Sequence, residues 1–214
     1  MIRKYNNFLF ESSDNIEFIK TILPEAYERL EIKYLNRGTN GVAYSLGDDF
    51  VLKITNDPVE ARTAAWLSNN NFMHIAHIYT VYQVESRTRF PSSFLFRFPY
   101  WEDVYFIVLE KLDTSVSKDI SNMLAELVEN FPFDSRKKTV LTMLNQSKVK
   151  TFFKKSKYYE LYKEVKELLS YLKVYGINFY DFHEGNVGRK KNGKLAIFDV
   201  FLKNKQSAVR KVKL

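Results

Sequence analysis

Five short segments of the chain carry side chains whose types and order suit the handling of a polyphosphate. Gly38 and Gly41 stand three apart in Leu35-Asn36-Arg37-Gly38-Thr39-Asn40-Gly41-Val42. Glycine lets backbone N–H groups approach phosphate oxygens without a side chain intervening, although a pair of glycines also serves simply as a hairpin turn. Lys53 is a solitary cation among apolar residues in Val51-Leu52-Lys53-Ile54. On an inward strand face such a charge is costly unless paired, and strand alternation equally allows it to point outward. Glu60 follows soon after and could reach back to Lys53, or it could be a surface carboxylate welcome near a helix N-terminus. Asp181 and Asn186 are five apart in Asp181-Phe182-His183-Glu184-Gly185-Asn186. That spacing on a loop can place a carboxylate near an acceptor hydroxyl and an amide on a metal. His183 has no second His or Cys close by in sequence and reads as a loop-packing or substrate-orienting group. Asp199 ends the apolar run Leu195-Ala196-Ile197-Phe198, where it offers the hard oxygen that Mg²⁺ takes or is a solvated turn residue.

These residues need elements to hold them. Ile32–Leu35, Val42–Leu46 and Phe50–Ile54 are short apolar runs separated by turn residues, the mark of hairpins. Asp57-Pro58 predicts a helix start, and Val59–Asn69 is alanine-rich enough to continue it. The first third therefore reads as strands, and Ile75–Leu109 is again β-branched and aromatic, with an aromatic insert at Phe90–Trp101 that is core or a surface for a partner. From Ser115 the period changes. Ile120, Met123, Leu124 and Leu127 recur at helical spacing, as do Leu161, Val165, Leu168, Leu169 and Leu172, with Gly176 as the stop. Ile177–Leu202 is strand-like with polar turns. The expected class is α+β, with a β-rich part over residues 1–109 and a connector plus helical part, ending in a hairpin, over 110–214.

The composition suits a packed domain. Hydrophobic residues make up 45% and aromatics 16% of 214 residues, which argues against global disorder. The chain has no cysteine, so disulfide frameworks and thiolate chemistry are excluded. The N-terminal apolar run is too short for a signal peptide, and Val104–Leu109 has the length of a strand rather than a membrane span. A soluble, cytoplasmic protein without membrane attachment is the expectation. The net charge is +8, with the excess gathered between Arg136 and Lys157 and in the tail after Asp199. Such a surplus attracts acidic proteins, nucleic acid or phosphate groups, or is a solvated helix face.

With a glycine loop, strand lysine, helix glutamate, Asp-x4-Asn and strand aspartate in that order, the chain resembles the protein-kinase-like fold over roughly residues 32–201. That family includes serine/threonine protein kinases and the aminoglycoside and choline phosphotransferases. The resemblance implies a bilobal fold with a β-rich N-lobe and a reduced helical C-lobe, binding ATP and Mg²⁺. It implies that Gly38, Thr39, Asn40 and Gly41 cover the phosphates, with Asn36 where a first glycine usually stands. Lys53 would contact the α/β-phosphates with Glu60 as its partner, at a shorter interval than in typical protein kinases. Val108-Leu109-Glu110-Lys111-Leu112 would be the hinge whose backbone bonds adenine. Asp181 would be the catalytic aspartate, with Asn186 and Asp199 as metal ligands.

The match has gaps. Phe179-Tyr180 replaces the usual His-Arg pair before the catalytic Asp, and the Asp-Phe-His-Glu-Gly-Asn wording is closer to small-molecule phosphotransferases. Fifteen residues follow Asp199, too few for an activation segment or a peptide platform, so the acceptor would be held elsewhere, by the basic helices of 136–157 or the tail. A kinase with a protein acceptor is the leading expectation. A small-molecule kinase and a nucleotide-binding pseudokinase acting as an interaction module are the alternatives.

Overall fold

The computed structural model describes residues 13–37, 41–84, 103–131, 139–177, 184–198, 200, 202 and 207–212. The chain is α+β and divides into two compact units: Met1–Asn71, His77–Lys111 and Lys203–Leu214 form one, and Phe72–Ala76 and Leu112–Leu202 the other. The division falls between Lys111 and Leu112. The short stretch 72–76 and the segment after 202 each belong to the unit that their position in sequence does not suggest.

The first unit is built on a sheet. Strands β1 (Ile32–Arg37), β2 (Gly41–Leu46), β3 (Phe50–Thr55), β4 (Ile78–Val84) and β5 (Val104–Glu110) pair antiparallel in the spatial order β1-β2-β3-β5-β4. The β2–β3 turn is Gly47-Asp48-Asp49, between the runs Val42–Leu46 and Phe50–Ile54 that predict a hairpin, and Gly47 takes a φ of 58°, which a glycine adopts without strain. Successive strand residues point to opposite faces, and the register makes the two faces explicit. Val42, Leu52 and Val108, with Tyr44, Ile54 and Phe106, lie on one face and are buried. Helix α1 (Ser13–Ile22) covers that face with Ile19 and Ile22, and Leu23 follows them into the same cluster. The apolar runs that mark elements in the sequence begin at Ile32 and do not predict this helix. Ile16, Ile19 and Ile22 carry its helical spacing. A single turn, α2 (Glu25–Glu28), leads from it to β1.

The opposite face bears Ala43, Lys53 and Ile107, aligned across three strands. Helix α3 (Pro58–Ser68) packs on β4 and β5 and buries Ala61, Ala64, Ala65 and Leu67. It starts where Asp57-Pro58 predicts. The Asp57 carboxylate accepts from the N–H of Val59 and of Glu60, and Pro58 occupies the first helical position, where a missing donor costs nothing. A sixth strand, β8 (Arg210–Val212), adds to β4 in parallel, a pairing that the basic tail's composition did not suggest.

The second unit is mostly helical. Helix α4 (Ser117–Asn130) buries Ile120, Met123 and Leu127, and helix α7 (Tyr159–Val174) buries Leu161, Tyr162, Val165, Leu168, Leu169 and Leu172. Apart from Tyr162 these are positions that helical periodicity selects; Leu124, which it also selects, is half-buried. Gly176, at a φ of 66°, ends α7, and the N–H of Ile177 closes back on the Leu172 carbonyl at 2.8 Å. Between them lie α5 (Val140–Leu144) and α6 (Ser147–Phe153). Tyr162 stacks on Phe153 with ring centroids 5.1 Å apart and donates its hydroxyl to the Leu144 carbonyl, tying the three helices together. Strands β6 (Val187–Arg189) and β7 (Leu195–Ile197) form the expected hairpin. Residues 74–76 run beside β7: Ile197 donates to the His74 carbonyl, and Ala76 donates to the Ile197 carbonyl. Among the described residues, seven α-helices are present and none is long and apolar enough to cross a membrane.

Candidate functional site

Lys53 points to the face of the sheet that carries α3, and its ammonium meets the Glu60 carboxylate at 2.5 Å. The side chains are 25% and 11% exposed, so the pair is largely withdrawn from water. The second carboxylate oxygen of Glu60 accepts from the Thr55 hydroxyl at 2.8 Å. The Thr55 hydroxyl in turn accepts from the Asp57 N–H. The local sequence explains this set. Lys53 and Thr55 are two apart on β3 and share a face. Asp57 caps the helix, and Glu60, three residues on, lies in its first turn. The short Lys–Glu interval therefore suffices, because the glutamate sits in the first turn of α3 and the helix begins three residues after β3 ends. Thr55 is a member of this group that sequence reasoning missed; its position two residues from a buried-face lysine was the available signal.

Gly41 opens β2 and faces Thr55 in the ladder. A Cβ there would stand 2.6 Å from the Ile54 carbonyl oxygen. The close approach of two strands already requires a glycine at this place, independently of any phosphate. Replacing Gly41 by alanine is expected to lower stability by about 1–3 kcal/mol, read as a lower urea midpoint with an unchanged slope.

Glu110, in the segment expected to be the hinge, is held through both its backbone and its side chain. Its N–H donates to the His77 carbonyl at 2.8 Å, and its carboxylate accepts from the His77 N–H at 3.1 Å. The Lys111 N–H donates to the Asp49 carbonyl, and the Lys111 ammonium donates to the Ser45 hydroxyl and the Gly47 carbonyl. These contacts fix the chain up to the point where the first unit ends.

In the second unit, Leu112 is buried and packs beside Gly188, whose Cα has no room for a side chain against Leu112 and the Asp113 carbonyl. Asp113 accepts from the Ser115 N–H and hydroxyl. The backbone bond, then the hydroxyl, holds the Asp113 carboxyl below the usual carboxylate range, with smaller help from Arg189. Backbone bonds between Asp113 and Arg189 in both directions join this segment to the hairpin. Asn186 is buried at the end of a single 3-10 turn, Glu184–Asn186, immediately before β6. The Phe198 N–H donates to the Asn186 carbonyl at 3.1 Å, which fastens the residue preceding position 199 to position 186.

Of the predicted site, the structure thus brings Lys53 to Glu60 and places Gly41 and Glu110 in the same unit. Leu112 and Asn186 belong to the other unit. Gly38, Thr39, Asn40, Asp181, His183 and Asp199 lie outside the described residues, as do the insert 90–101 and Arg136, Lys137 and Lys138 of the basic run. Among the described residues, no three His, Asp or Glu side chains gather in a way that could hold a metal ion. Chemically, the described part amounts to a cation held rigidly on a sheet by a doubly engaged carboxylate, and a buried amide at a hairpin root. No family model and no curated protein matches the chain.

Proposed function

We propose that the chain is an ATP-dependent phosphotransferase that moves the γ-phosphoryl group of Mg–ATP to a hydroxyl acceptor, a serine or threonine of a protein. The observation that carries this reading is the Lys53–Glu60 pair. An ion pair withdrawn from water gains little over a well-packed apolar pair, because desolvation offsets the Coulomb attraction. A sheet face that keeps one, with a threonine added to orient the carboxylate, is better understood as positioning a cation than as stabilising the fold. A third-strand lysine held by a glutamate of the following helix is the device by which kinases contact the α/β-phosphates.

In this reading Lys53 neutralises phosphate charge and Glu60 fixes its position. Gly38, Thr39, Asn40 and Gly41 lie over the nucleotide. The N–H groups of Glu110 and Lys111 are already engaged by His77 and Asp49, so Leu112 is the residue whose N–H would meet adenine. Asp181 orients the acceptor hydroxyl and takes its proton as its oxygen bonds to the γ-phosphorus and the bond from that phosphorus to the β,γ-bridging oxygen breaks, which releases ADP. The fit to magnesium rests on oxygen donors, the Asn186 amide and the Asp199 carboxylate, and on the bond that ties Phe198 to Asn186. When bound, Mg²⁺ supplies charge neutralisation on the transferring phosphoryl group.

The purified protein incubated with γ-labelled ATP, Mg²⁺ and a cell lysate is expected to label protein bands, and Asp181→Asn is expected to abolish the label. Label confined to small molecules would replace the protein acceptor by a small-molecule one. In parallel, Mg–ATP at about 100 times its dissociation constant should stabilise the chain by about 2.7 kcal/mol, a rise in Tm of about 5–10 °C. Absence of any shift would remove nucleotide binding, and with it the proposal.

A further inference from the structure

The second unit carries a surface groove of about 780 Å³ between the C-terminal half of α4 and the α6 turn. Lys148, Lys155 and Lys157 line it, all exposed, against a single carboxylate, Glu126. Glu126 is itself engaged, because the Ser156 hydroxyl donates to it at 3.2 Å. Thr151 and Asn130 add polar atoms to the walls, and Phe152 gives the lining an apolar residue. We infer that this groove docks an acidic peptide segment of a protein partner, with carboxylates toward the lysines and an apolar side chain on Phe152.

Charge and size select the occupant. Three cations against one anion favour a ligand of negative charge, and the volume is that of a site for a short segment rather than a long duplex. Two features favour a peptide over nucleic acid. Phe152 is half-buried and meets Phe131 and Phe153 edge to face, so it offers an apolar contact and not an open face for stacking bases. Glu126 stands within the lining, where it would oppose an unbroken run of phosphates. A peptide can set a polar or apolar residue opposite it.

The inference stands apart from phosphoryl transfer, since a chain without that activity would still bind such a segment. The test uses the full chain and a fluorescein-labelled peptide repeating Glu-Glu-Leu, followed by fluorescence anisotropy, with labelled oligothymidylate of equal net charge as the second probe. The peptide is expected to bind, to weaken as NaCl is raised, and to lose about tenfold or more in affinity in the double variant Lys155→Glu/Lys157→Glu. Both residues are exposed, so the variant should keep its melting curve. Lys20→Glu, which lies outside the groove, should leave the affinity unchanged. Oligothymidylate binding more tightly than the peptide, with the same loss in the double variant, would assign the groove to nucleic acid. No peptide binding, or an equal loss with Lys20→Glu, would remove the site.

Discussion

Lys53→Met is expected to slow phosphoryl transfer by about 10²–10³-fold and, separately, to lower stability by about 1–3 kcal/mol. Methionine fills nearly the same volume, so the catalytic loss would come from the missing charge on the phosphates. The stability loss has another origin. Glu60 would keep its bond from Thr55 but face the sheet with one oxygen deprived of the Lys53 ammonium. The two effects can therefore be separated. In the double variant Lys53→Met/Glu60→Leu both charges are gone, and the stability should recover part of the loss, short of the wild-type level by the bond that the buried Thr55 hydroxyl gives to Glu60, while transfer stays as slow as in the single variant. Initial rates and urea midpoints for the four proteins of this cycle decide the matter. Unchanged transfer in Lys53→Met would end the proposed role of Lys53, and recovery of transfer in the double variant would show that the pair acts through folding alone.

The second large effect lies on the other face of the same sheet. Phe106→Ala should cost about 3–5 kcal/mol, and lower the Tm by about 6–20 °C. The Phe106 side chain is 0% exposed and stacks on Tyr82 at a centroid distance of 5.4 Å with planes 14° apart. It faces Ile54 across the β3–β5 ladder and belongs to the cluster sealed by Ile19 and Ile22 of α1. Alanine would leave a ring-sized void in a layer pinned on both sides, with little room to collapse. A loss below about 1 kcal/mol would mean that α1 can settle into the space, and that the layer is less tightly held than the burial indicates.

Local patterns made much of this arrangement readable from the sequence. The turn at Gly47, the Asp57 cap, and the spacing of Leu161 through Leu172 each act over a few residues, and each appears where it is expected. What local patterns could not decide was direction. Alternation on β3 left Lys53 facing either way, and the choice is made by α1, whose isoleucines cover the Leu52 and Ile54 side and leave the lysine to the α3 side. The spacing of those isoleucines was visible, but it lies beside aromatic and β-branched residues that suit a strand equally well. Gly41 illustrates the converse. In sequence its absent side chain suits either a phosphate or a hairpin turn, whereas the carbonyl of Ile54, distant in sequence by a hairpin, already demands it. The use of 72–76 as a neighbour of β7, and of 210–212 as a strand, depends on pairings across more than a hundred residues that no short window contains.

That last pairing bears on how the chain is made as well as how it stands. Strand β4 has β5 along one side and β8 along the other at Tyr82–Val84. Until residues 210–212 have been synthesised, the outer backbone donors and acceptors of those three residues have no strand to meet, and an open strand edge is a template for another chain. A nascent or clipped chain lacking β8 would thus present β4 as an edge strand, opposite the edge that β1 forms at the other end of the antiparallel sheet. Its solubility during expression would then depend on three residues near the C-terminal end of the sequence.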